Sequence, residues 1–157
     1  MTLQELVHRA ASIYSDKIAV CFDECNNQPP VYYTYKSVVH AASELSNFLL
    51  LHCDFQGIRE VGLYCHPGIN LPSWILGILQ VPAAYAPIDP DAPPALSTHF
   101  MKKCNLSYIL VEKQQINVKH QKAGEGQRGG QKIQSRLHAD SREPTVGLEL
   151  MNREVMT

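Results

Sequence analysis

Residues 71–91, LPSWILGILQVPAAYAPIDPD, constrain the fold more than any other stretch of this chain. Asn70 stands where a helix N-cap belongs, and Pro72 falls in the first turn, where its missing N–H costs little. Trp74, Ile75, Ile78 and Leu79 are apolar almost all round, which predicts a helix buried on most sides. Pro82 stops that helix and biases Val81 toward extended geometry. Ala83 to Ile88 then reads as a strand whose small residues, Ala83, Ala84 and Ala86, let a neighbour approach closely. Pro90, Pro93 and Pro94 make a stiff turn. A buried helix feeding a short strand needs further layers on both sides.

The preceding residues supply such layers. Thr2 and Glu5 have the form of a capping box. Leu3, Leu6, Val7, Ala10 and Tyr14 recur at helical spacing, predicting a helix over 3–13. Ile18 to Phe22 and Val31 to Thr34 read as strands of a hairpin around a polar loop. Val38, Ala41, Leu45, Phe48 and Leu49 form one face of a helix running from Tyr35 to about Leu51. Val61 to Tyr64 is a short buried strand before the turn at His66, Pro67 and Gly68. Beyond the central stretch, Leu96, Phe100 and Met101 predict a helix to about Cys104, and Tyr108 to Val111 a further buried strand. Helices alternating with short apolar strands predict an α/β fold with a mainly parallel sheet and flanking helices.

The apolar fraction of 45% is ordinary, but it is unevenly spread. Residues 113–157 are rich in Gln, Lys, Gly, Arg and Glu. Such a segment buries too little apolar surface to offset roughly 1–2 kcal/mol per residue of backbone ordering. Residues 118–157 are therefore expected to be a disordered tail unrelated to the domain, with at most a marginal helix over Val146 to Met156. A net charge of −1 argues against nucleic acid or an anionic membrane as partner. No apolar run reaches about 18 residues, so no membrane span is expected. Early charges at Glu5, Arg9, Asp16 and Lys17 predict no secretory leader. Five irregularly spaced cysteines fit reduced thiols, and the expected location is cytoplasmic.

Three stretches carry a family resemblance. Tyr32–Leu50 (YYTYKSVVHAASELSNFLL), Val61–Leu79 (VGLYCHPGINLPSWILGIL) and Ala83–Pro94 (AAYAPIDPDAPP) resemble, in order, three signatures of the AMP-forming adenylation enzymes. These include acyl-CoA synthetases and the adenylation domains of peptide synthetases. The resemblance covers residues 1 to about 117 and implies part of the N-terminal subdomain. It implies a parent activity in two steps: ATP and a carboxylate such as beta-alanine give an acyl-adenylate, and the acyl group passes to a phosphopantetheine thiol. The parent cofactors are ATP, magnesium and phosphopantetheine. The family's usual Lys-Ala-Gly before the AAY strand is Gln80-Val81-Pro82 here. Its Ser/Thr/Gly-rich phosphate loop with lysine, its adenine and magnesium element, its ribose-binding aspartate and its C-terminal lysine do not occur in the sequence. The resemblance thus assigns no catalytic, cofactor-binding or metal residue, and the expectation is a truncated unit, inactive alone. The alternative is a non-catalytic interaction module that self-associates or docks through an open sheet edge.

Other motifs read as bland. Gly124, Gly126 and Gly129 satisfy G-x-G-x-x-G, but the polar segment before them is no strand, so a linker is expected rather than a dinucleotide loop. Cys21, Cys25, Cys53 and Cys65, with His52 and His66, lack paired metal-ligand spacings. Cys21 and Cys65 are expected in the core. No oxyanion or orienting element accompanies a Cys–His pair. The basic residues between Lys119 and Arg142 are diluted by Glu125 and Asp140 and have no aromatic partners for base stacking. Trp74 is expected in core packing rather than at a ligand.

Overall fold

A computed structural model describes residues 1–57, 60–113 and 147–152. In chain order, α1 is Leu3–Tyr14, β1 Ile18–Phe22, β2 Val31–Thr34 and α2 Tyr35–His52. They are followed by β3 Glu60–Tyr64, α3 Leu71–Gln80, β4 Ala84–Ile88, α4 Pro94–Lys103, β5 Tyr108–Glu112 and β6 Leu148–Asn152. Each periodic segment before residue 113 becomes the element its pattern predicts, with ends shifted by a residue or two. The capping box forms: Thr2 Oγ1 accepts from the Glu5 amide, and the Thr2 amide donates to Glu5 Oε2 at 2.7 Å.

The main sheet has the order β4-β3-β5-β6. β3 is parallel to both β4 and β5, and β6 runs antiparallel to β5. β1 and β2 form a separate antiparallel hairpin. One face of the sheet, with Val61, Leu63, Leu110 and Leu148, packs on Leu45 and Leu49 of α2 and on Trp74 and Ile78 of α3. The other face, with Ala86, Ile88 and Ile109, is covered by Leu106 and by Phe100, Met101 and Cys104 around the end of α4. Burial of this kind stabilises by about 25 cal/mol per Å² of apolar surface.

The layers meet at two glycines. A Cβ on Gly77 of α3 would lie 2.9 Å from Ala42 O, 2.9 Å from Leu45 Cβ and 3.0 Å from Leu45 Cδ2. Because the first of these is backbone, α2 and α3 cross at a distance that only glycine permits. On the opposite face a Cβ on Gly62 would lie 2.9 Å from Ile109 Cγ1. The small strand residues behave unequally: Ala83 and Ala86 are buried, and Ala84 is exposed.

Three expectations are corrected. Residues 148–152 are a strand in the sheet, not a marginal helix outside the domain. Leu148 is fully buried and Leu150 packs on the same core. The cause is long-range pairing: Leu148–Asn152 bonds β5 in a register from Glu112↔Leu148 to Tyr108↔Asn152, and Lys113 N donates to Gly147 O at 2.8 Å. The rest of the expected tail, with the glycine motif at 124–129 and the basic residues from Lys119 to Arg142, lies outside the described residues. Second, Asn70 occupies the N-cap position of α3 without capping it; its Oδ1 accepts from Tyr33 Oη at 2.9 Å instead. Third, Cys21 is exposed, because the hairpin presents only one side, through Ala19, Val20 and Tyr33, to α2.

Two half-buried thiols respond to this packing. Burial pushes the Cys53 thiol up from 9.0 to about 12. Burial first, and the Glu112 carboxylate second, push Cys65 up from 9.0 to about 11. Both groups are more acidic in the unfolded chain, so their contribution to stability is whole below pH 9.0 and is lost as pH rises toward 11–12. Urea midpoints measured between pH 8 and 11 are expected to fall across that window, and replacing both cysteines by serine should flatten the fall. In urea unfolding at neutral pH, Gly77→Ala is expected to cost about 1–3 kcal/mol by overpacking, against near neutrality for Gly68→Ala. Leu148→Ala is expected to cost about 2–5 kcal/mol, a loss that a strand outside the core would not show.

Candidate functional site

In parallel α/β sheets, loops leaving the carboxyl ends of adjacent strands toward opposite faces open a crevice there. β3 leads to α3 on one face and β4 to α4 on the other. The residues after these strands meet: His66 Nε2 lies 3.3 Å from Asp91 Oδ1, both side chains being largely exposed. An exposed pair of this kind contributes little to stability. From the end of β5, Glu112 Oε2 accepts from the His66 amide at 3.2 Å. Burial first, and the nearby Glu112 carboxylate second, raise the Cys65 thiol to about 11, so it is protonated and a poor nucleophile at neutral pH.

Beside this cluster lies a groove of about 960 Å³. Its walls are the β1–β2 loop (Glu24, Asn26), the β3–α3 turn (His66 to Asn70) and the β5 end (Glu112, Lys113), with Trp74 of α3 also lining it. The first turn of α3 borders the groove without a side-chain cap. Ser73 Oγ and Trp74 Nε1, both in that turn, are buried and have no hydrogen-bond partner. Trp74 is only 2% exposed and packs with Leu49, Val61 and Ile78, so the core-packing expectation for it holds, while its indole nitrogen remains unsatisfied.

The cysteine and histidine residues weighed for metal binding are scattered. Cys25 sits in the hairpin loop, where its amide donates to Asp23 Oδ1. Cys53 caps the end of α2. Cys65 follows β3. Among the described residues no three His, Cys, Asp or Glu side chains gather so as to hold a metal ion. No helix among them is long and apolar enough to cross a membrane. The convergence of His66, Asp91 and Glu112 was not singled out from sequence. Its signal was present, since CHPG, DPD and the last residue of YILVE each close a parallel strand.

The groups that parent-type chemistry requires do not fit here. A triphosphate needs several backbone donors and cations around it. The groove offers one uncapped helix start and one lysine, Lys113, beside the carboxylates of Glu24 and Glu112. A magnesium ion needs clustered oxygen ligands, which the described residues do not assemble.

The comparisons agree with the architecture. The family model described as "AMP-binding enzyme" matches residues 7–154. The human beta-alanine-activating enzyme is 86% identical over 117 residues, which are 74% of this chain and 11% of the human protein. The chain thus spans about a tenth of the length of that curated relative. Among solved structures, the Klebsiella oxytoca NpsA N-terminal subdomain aligns with a TM-score of 0.59 at 16% identity, covering 69% of this chain and 27% of that one. The fatty acid AMP ligase from Legionella pneumophila aligns with a TM-score of 0.59 at 22% identity, over 68% of this chain and 18% of that one. At such identities the two structures speak for the fold alone. The matched span, which takes in β6 as well as the apolar layers, makes this chain a member of the AMP-binding enzyme family.

Proposed function

We propose that this chain forms the first α/β layer of an ATP-dependent carboxylate-activating unit of the beta-alanine type, and that alone it neither adenylates nor transfers an acyl group. The 86% identity to the human beta-alanine-activating enzyme carries the first half of this reading. The second half rests on the sequence, which has no Ser/Thr/Gly-rich phosphate loop with its lysine. Adenylation requires cationic and hydrogen-bonding groups arranged around a transferring phosphoryl centre. In the complete unit ATP and magnesium would drive formation of the acyl-adenylate, and a phosphopantetheine thiol would accept the acyl group. This chain's contribution is structural: α2, α3 and the parallel strands form a rigid platform. Five free thiols and an enzyme relative support a cytoplasmic, reducing setting.

A second reading, a non-catalytic interaction module, is favoured by one observation. β4 lies at a margin of the sheet with no strand beyond it among the described residues, and Tyr85 on it is exposed. An open edge of this kind invites strand pairing, although Pro87 withholds one donor. Concentration-dependent size exclusion, weakened by Tyr85→Lys, would speak for it.

Pyrophosphate exchange tests the main reading. The purified chain is expected to give no ATP–pyrophosphate exchange above background with beta-alanine. Exchange above background with beta-alanine or any other carboxylate overturns the proposed inactivity.

A further inference from the structure

β6 closes the sheet on the side away from β4, and its outer edge is complementary to itself. The Lys113 amide donates to Gly147 O at 2.8 Å, so residues 113 and 147 face each other as a hydrogen-bonded pair beside the β5–β6 ladder. Bonded and non-bonded pairs alternate in an antiparallel ladder. Glu149 and Met151 therefore bond β5, opposite Val111 and Ile109, and the backbone groups of Leu148 and Leu150 are directed outward. No strand lies beyond them among the described residues. Such an edge is a template for another strand. β6 contains no proline, whereas β4 at the opposite margin lacks a donor at Pro87.

The residues of β6 favour one occupant, the same strand of a second copy. A two-fold axis at Leu150 lays the two strands antiparallel, and each contact then occurs twice. Leu150 exchanges both backbone bonds with its counterpart. Its side chain, already packed on the main core, meets the counterpart's across the seam. Glu149 faces Met151 of the second copy, so no carboxylates oppose each other. Leu50 and Leu51, in the last turn of α2, are 56% and 81% exposed. They stand near the same margin, because the Asp54 amide donates to Tyr108 Oη at 3.2 Å and Tyr108 pairs with Asn152. A net charge of −1 sets little repulsion between copies. We propose that β6 is a dimerisation edge, pairing antiparallel with β6 of a second copy about Leu150 to make one continuous sheet. The inference goes beyond the interaction-module reading, which concerns β4. Its failure would leave the family assignment and the reading of inactivity untouched.

Sedimentation equilibrium of the full chain reads the association. A contact this small makes a weak dimer, with an expected dissociation constant on the order of 10–100 μM. Charge at position 151 separates the contact from mere folding, since that residue faces Glu149 of the second copy. Met151→Glu sets carboxylates against each other on both sides of the axis and is expected to weaken the dimer about tenfold. Met151→Lys meets Glu149 instead and is expected to strengthen it about threefold. Tyr85→Lys on β4 is expected to leave it unchanged. In the wild-type chain the Leu150 amide, which does not bond β5, is expected to exchange with deuterium more slowly as concentration rises through the dissociation constant. A chain that stays monomeric to about 1 mM overturns the proposal. So do equal effects of the two Met151 substitutions, a dimer weakened by Tyr85→Lys alone, or exchange at Leu150 that is independent of concentration. The wild-type measurements decide the matter even if a variant does not fold.

Discussion

The close crossing of α2 and α3 at Gly77 is the contact on which the rest of the molecule depends. With the Ala42 carbonyl 2.9 Å from where a Cβ would stand, the two helices share a surface too tight for any side chain. That proximity brings Leu45 and Leu49 together with Trp74 and Ile78 over one face of the sheet. Other elements fasten to the same pair. α1 buries none of its residues; Gln4 donates to the Leu79 carbonyl at the end of α3, and Gln80 pairs with His8 at 2.7 Å. The hairpin reaches α3 through Tyr33 and Asn70.

The crossing also fixes what borders the crevice. Because α3 is held against α2, its first turn ends beside the carboxyl ends of β3 and β5, where Glu112 contacts the His66 backbone. Tyr33 takes the Asn70 side chain that would otherwise cap the helix. The cap is exchanged for a tie between hairpin and helix, and the helix start is closed locally instead: the Leu71 amide donates to Gly68 O at 3.2 Å, and Pro72 has no N–H to satisfy. Burying Trp74 for packing leaves its nitrogen without an acceptor. An arrangement that breaks a local rule while the packing around it is well satisfied is commonly a functional one.

Much of the architecture was legible in the residues. Thr2 and Glu5 announced a capped helix, Val38 to Leu49 an apolar helical face, and Pro82 the end of α3. Apolar runs bounded by turns marked β3, β4 and β5. The signatures in Tyr32–Leu50, Val61–Leu79 and Ala83–Pro94 carried the family. The site was far less legible. His66, Asp91 and Glu112 are separated by 25 and 46 residues in the pairs they form, and no local pattern relates them. Cys21 looked like a core residue because it lies in an apolar strand, where cysteine packs as a small hydrophobe, whereas the hairpin stands apart and buries one side only.

Sequence alone determined the kinds and order of the elements, because helix and strand periods, caps and proline stops act over a few residues. Tertiary structure decided where Leu148–Asn152 belongs. That segment has too few apolar residues to declare itself, and becomes a strand only because the edge of β5 presents unpaired backbone groups and a core position for Leu148. The same holds for Asn70 and Trp74. Whether a side chain caps, ties or stays unsatisfied depends on which distant atom arrives within hydrogen-bonding distance, and that is settled by packing rather than by neighbours in the chain.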